Sequence, residues 1–164
     1  MVPFLTLASP IGTLILEASD RGLRKVVLPG DQALPDESVI RPDHPVLNDT
    51  ATQISEYFAG RRQTFSVPLD LDGTEFQRTV WMSLAEIPFG ATQTYGQQAE
   101  RIGRPRAARA VGAANGRNPV PIVLPCHRVI GSDGSLTGFA GGLECKQQLL
   151  NHERVVHSGL DGDR

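Results

Sequence analysis

Cysteine is scarce in this chain: there are two residues, Cys126 and Cys145, and none in the N-terminal half. One disulfide at most is available. The paired spacing of a zinc site is missing from Cys126, Cys145, His44, His127, His152 and His157. We therefore expect free thiols and no metal. Long apolar runs are lacking too, since no window approaches the roughly 20 residues of a membrane span. The first residues, MVPFLTLASPIG, show no basic segment leading into an apolar one. These absences predict a cytoplasmic protein without membrane contact. A Walker-type loop, a dinucleotide fingerprint, an internal repeat and a low-complexity tract are all absent, and no cofactor is expected.

Acidic residues are missing from one stretch in particular. Between Glu100 and Asp133 there is none, while Arg101, Arg104, Arg106, Arg109, Arg117 and Arg128 fall inside it. That segment carries +6, so with a net charge of −2 the rest sums to −8. A local basic patch on an acidic body can hold phosphates in one place.

What is present suffices for a core, with 40% apolar residues. Short apolar runs (FLTL, TLILEA, LRKVVL) broken by Ser9-Pro10-Ile11-Gly12 and Ser19-Asp20-Arg21-Gly22 predict an antiparallel meander. Residues 29–45, rich in Pro and Asp, are expected to be loop. Leu47, Ala51, Ile54 and Phe58 then recur at helical spacing, with Gly60 placed as a C-terminal stop. After the apolar run 65–71 the character changes, and we place a boundary near residue 73.

Thr74 with Gln77, and Thr94 with Gln97, are capping-box signals. The first opens a helix buried through Phe76, Val80, Trp81, Leu84 and Ile87; the second opens one that stops at Gly103. Pro105 suits the first turn of a further helix running to Gly116. Two short helices joined by a Gly-containing turn form a helix-turn-helix candidate. The second is almost wholly Ala and Gly around Arg109. It has few side chains to read base edges, yet it can approach a shallow groove closely.

The fold class expected is α+β. An N-terminal domain of meander, helix and linker (1–72) precedes a helical domain with a helix-turn-helix and a short active-site strand (73–157), then a tail (158–164). A buried strand-like run at 122–124 leads into Pro125-Cys126-His127-Arg128-Val129-Ile130. A cysteine leaving such a run beside a histidine is a candidate nucleophile, because a neighbouring imidazole or cation lowers the thiol pKa.

With Asn118-Pro119 upstream and Gly138, Gly141-Gly142, Lys146 and Glu153 downstream, this region resembles the O6-methylguanine-DNA methyltransferase family. The resemblance covers most of 73–153. It implies a single-turnover protein-cysteine S-methyltransferase that repairs O6-alkylguanine, with O4-alkylthymine as a further substrate left open. Cys126 would accept the alkyl group, His127 would act as base through a bridging water, Glu153 would orient His127, and Tyr95 would donate to guanine N3. Asn118, Val129, Phe139, Ala140 and Lys146 would line the substrate site.

The partner implied is double-stranded DNA, bound in the minor groove with weak sequence preference. Arg106, Ala107, Ala108, Ala110 and Gly112 would meet the groove, and Arg109 would replace the flipped nucleotide. A monomer in solution is expected, with cooperative assembly on DNA left open. Phe139 stands where the family has tyrosine, so a polar contact to the leaving oxygen is in doubt. The alternative is a non-catalytic damage sensor that binds and flips the lesion; such proteins replace the acceptor cysteine, and Cys126 argues against it.

Overall fold

The computed structural model describes residues 2–30, 38–136, 139 and 142–159. The fold is α+β, as the sequence predicts. It divides into two compact units, one of residues up to Asp72 with Pro119–Val123, the other from Gly73 to Asn118 and onward from Leu124.

In the first unit, β1 (Val2–Leu7), β2 (Leu14–Ala18) and β3 (Leu23–Val27) form the expected antiparallel meander, with Leu7 opposite Leu14 and Ile15 opposite Val27. β2 lies between its neighbours and is buried throughout. The loop expected over 29–45 is corrected in part: Ser38–Ile40 form β4, parallel to β1 at the sheet edge. Three residues are too few to show a period, and their pairing comes from the partner strand.

Helix α1 (Pro45–Phe58) packs across β1, β2 and β3. Its buried stripe is Leu47, Thr50, Gln53, Ile54 and Tyr57. Ala51 and Phe58, expected within it, sit at its half-buried flanks. Gly60 at φ +78° closes the helix, with its N–H on the Tyr57 carbonyl at 3.1 Å.

In the second unit, both capping boxes form. Thr74 Oγ1 accepts from Gln77 N at 3.0 Å and starts α2 (Glu75–Ser83); Thr94 Oγ1 accepts from Gln97 N at 3.1 Å and starts α3 (Tyr95–Arg101). α2 tightens into a 3₁₀ turn at Leu84–Glu86. α4 (Ala108–Asn115) starts later than expected. Pro105 lies in the preceding turn, where the Ala107 N–H is held by the Arg104 carbonyl at 2.9 Å.

Val80, Ala99, Val111 and Ala114 form the core of this three-helix group. Buried polar bonds fix it: Asn115 Nδ2 donates to Gln98 Oε1 at 2.7 Å, Gln98 Nε2 to Ser83 Oγ at 3.1 Å, and Trp81 Nε1 to the Ala114 carbonyl at 2.7 Å. Helix α5 (Leu143–His157) buries Cys145, Lys146, Leu149 and Glu153 along one face. Among the described residues no helix is long and apolar enough to cross a membrane.

Candidate active site

The approach to Cys126 is not the strand expected over 122–124. Those residues adopt turn conformations, and Ile122 takes a left-handed φ of +75°. Pro119, Pro121 and Pro125 remove three backbone donors and fix φ, which precludes a ladder. Asn118 supplies a tie instead, its Nδ2 donating to the Leu124 carbonyl at 2.8 Å. Cys126 then opens a 3₁₀ turn, Cys126–Arg128, with its N–H on the Leu124 carbonyl at 2.8 Å.

From this turn the chain passes into β6 (Val129–Ile130), which pairs in parallel with β5 (Gln93–Thr94). Thr94 sits opposite Ile130, so Tyr95, the first residue of α3, is delivered beside the cysteine segment. From α5, Lys146 Nζ donates to the Val129 carbonyl at 2.6 Å and lies 5.9 Å from the Tyr95 ring centre. On α4, a Cβ at Gly112 would stand 3.6 Å from Tyr95 Cδ1. Tyr95 is thus bracketed by Lys146 and Gly112.

Cys126 is only 6% exposed. Burial pushes its thiol up to about 11, against the smaller pull of an Asn118 hydrogen bond and the Lys146 charge. This corrects the expectation of a thiol lowered by its neighbours: desolvation of the thiolate outweighs them. At neutral pH the group is a thiol, so attack needs a base.

His127 and Glu153 are completely buried and paired, Nε2 to Oε2 at 2.5 Å. Burial lowers the His127 pKa, opposed by Glu153 and assisted by the Arg128 and Lys146 charges, so the ring is neutral near pH 7. Burial alone would raise Glu153. The hydrogen bonds and charges of His127 and Arg128 outweigh it and hold the carboxyl well below its usual range. A carboxylate only accepts, so the proton of the neutral ring sits on Nε2. Nδ1, buried and without a hydrogen-bond partner among the described residues, is left with its lone pair.

Arg128, expected within the basic patch, is buried instead, because its guanidinium is held by Glu153 and a backbone carbonyl. Its Nε donates to Glu153 Oε1 at 2.8 Å, its Nη2 to Oε2 at 3.1 Å, and its Nη1 to the Ile87 carbonyl at 2.6 Å. Gly90 N–H also donates to Glu153 Oε1, at 3.2 Å. The adjacency of Arg128 to His127 was the one available signal for the first; nothing in the sequence pointed to the second.

The remaining predicted residues lie elsewhere or outside view. Val129, three residues after Cys126, is buried. Phe139 is half-buried, its carbonyl accepting from Gly142 N at 3.0 Å; Gly138, Ala140 and Gly141 lie outside the described residues. On and around α4, Arg106, Arg109 and Ala110 are exposed, together with Ala113 and Arg117. Arg109, Ala110 and Ala113 lie on one face of α4, and Arg106 and Arg117 sit in the turns that flank it. Val111, Ala114 and Asn115 form the buried one, while Ala107, Ala108 and Gly112 are half-buried between them.

A buried cysteine followed by a carboxylate-held histidine, in the same unit as a capped short helix, α3, and the small-residue helix α4 with its exposed cations, is the arrangement of a thiol-acceptor transferase on a helix-turn-helix unit. Residues 75–155 match the family model described as 6-O-methylguanine DNA methyltransferase, DNA binding domain, and residues 4–71 match that of its ribonuclease-like domain. A methylated-DNA–protein-cysteine methyltransferase of Mycolicibacterium paratuberculosis is 47% identical over 94% of this chain and 93% of its own. One from Methanosarcina acetivorans is 47% identical over 88% and 94%. The crystal structure of Mycobacterium tuberculosis OGT in complex with DNA superposes with a TM-score of 0.87 at 43% identity, covering 94% of each chain. The chain belongs to the 6-O-methylguanine DNA methyltransferase family.

Proposed function

We propose that this protein repairs DNA by moving an alkyl group from O6 of guanine onto Cys126, once per molecule. The observation that carries the reading is the buried Cys126 turn, whose next residue is locked to Glu153 with Nδ1 left as the available base. The thiol proton passes through a bridging water to His127 Nδ1, and Glu153 stabilises the imidazolium that forms. The sulfur attacks the O6-alkyl carbon in line. The S–C bond forms as the C–O6 bond breaks, and the electron pair of that bond enters the guanine ring. Tyr95 offers its hydroxyl to N3, and the departing base finally takes up the proton that the thiol released. Lys146 contributes positive charge near the sulfur, and Asn118 holds the segment after α4 to the turn that leads into the acceptor. Val129, Phe139 and Ala140 line the alkyl and base pocket.

The target atom is inaccessible inside a stacked duplex, so the base is flipped out. Arg106, Arg109 and Ala110 lie in the minor groove, with the small residues Ala107, Ala108 and Gly112 allowing close approach and Arg109 filling the vacated stack. Sequence readout is weak there. Residues 73–157 carry both binding and transfer, and the protein acts as a cytoplasmic monomer needing no cofactor. The test is transfer of a labelled methyl group from O6-methylguanine in a duplex. The label should plateau at one per protein molecule and vanish in Cys126→Ser; turnover beyond one, or transfer surviving the substitution, would overturn the proposal.

A further inference from the structure

The turn at residues 87–90 touches the relay from outside at two points. The Ile87 carbonyl accepts from Arg128 Nη1 at 2.6 Å, and the Gly90 N–H donates to Glu153 Oε1 at 3.2 Å. Between these contacts, Arg128 Cζ lies over the Phe89 ring at 5.6 Å, and His152 meets that ring edge-on at 6.4 Å. The turn is closed by the Ala91 N–H on the Pro88 carbonyl at 3.0 Å. Gly90 has φ +82°, and a Cβ there would stand 2.7 Å from His157 Cγ. Both conformation and space therefore demand glycine at this point.

We propose that Gly90 is a positioning residue for alkyl transfer, its N–H fixing the Glu153 carboxylate so that the other oxygen meets His127 Nε2. This rests on the relay described above. The bond also disperses part of the Glu153 charge. The charged groups facing His127 are Glu153 and Lys146 from α5 and Arg128 from its own turn. Weakening the Gly90 bond leaves Glu153 a stronger attractor for an imidazolium. His127 then takes a proton at higher pH, and the acid limb of the transfer rate moves upward.

The test uses the full chain, a duplex bearing one O6-methylguanine, and His157→Gly as background, since the His157 Cβ itself would stand 2.8 Å from a Cβ at Gly90. His157→Gly alone should react and titrate like the wild type. Adding Gly90→Ala, which disfavours the left-handed turn, should slow transfer by about tenfold, as expected for a lost hydrogen bond to a charged group. It should also raise the His127 midpoint read by NMR. Adding Gly90→Asn instead, a residue that tolerates this φ, should restore both. In the wild type the Gly90 amide should be protected from hydrogen exchange, a readout that does not depend on any variant folding. Wild-type rate in the Ala variant, slowing with an unshifted His127 titration, or an unprotected Gly90 amide would each overturn the inference. Wild-type protein that gains no methyl group would overturn the transfer reading instead.

Discussion

His127 and Arg128, adjacent in sequence, both end on the Glu153 carboxylate, at 2.5 Å from Nε2 and 2.8 Å from Nε. One buried anion thereby serves a buried imidazole and a buried guanidinium. Glu153→Gln should abolish most transfer and cost about 3 kcal/mol or more, because Arg128 is left buried without its counter-charge. Arg128→Leu with Glu153→Leu should recover much of that stability and none of the activity. Urea unfolding and single-turnover rates read the two effects separately.

Stability should have a defined pH window. Glu153 and His127 both have folded pKa values below their ordinary 4.5 and 6.5, so each stabilises the protein above its unfolded value and loses that contribution as pH falls toward the folded one. Cys126 is an acid raised from 9.0 to about 11, so its contribution is complete below 9.0 and is lost as pH rises through 11. Thermal melts should therefore plateau between about pH 7 and 9 and fall on both sides. A maximum near pH 5 would contradict the buried neutral histidine.

The exposed arginines on and beside α4 give a salt-dependent prediction. Arg106→Ala and Arg117→Ala should each lower the slope of log affinity against log salt by about 1, as expected for one phosphate contact apiece. Arg109→Ala should instead reduce transfer more than binding, since its proposed place is the stack. Titrations at several salt concentrations beside single-turnover rates distinguish the two behaviours.

Much of this was legible in advance. The two capping boxes, the meander and the Cys126 motif are signals of local sequence, and local chemistry determines them. The strand expected over 122–124 failed because an apolar run reads as strand unless prolines on either side are weighed as removed donors. β4 was invisible because three residues carry no period. The tasks of Arg128 and Gly90 arise only from contacts across 25 and 63 positions of chain, beyond any periodic pattern.

The Gln98 and Asn115 pair should behave as a coupled unit. Gln98→Leu leaves the buried Asn115 amide without its 2.7 Å partner and should cost about 1–3 kcal/mol. Adding Asn115→Leu should recover part of the loss, which a double-mutant cycle in urea measures directly.

Methylation of Cys126 places an extra carbon in a site that is only 6% exposed. Overpacking of that kind costs about 1–3 kcal/mol, so the used protein should melt below the fresh one. Equal melting temperatures would indicate a pocket with room to spare.

The most direct measurement is intact mass and peptide mapping after the protein meets a duplex with one O6-methylguanine. The account predicts a gain of one methylene per molecule, located on Cys126 with Cys145 unmodified. Methylation of Cys145, a second addition, or no gain despite lesion-selective binding would contradict it.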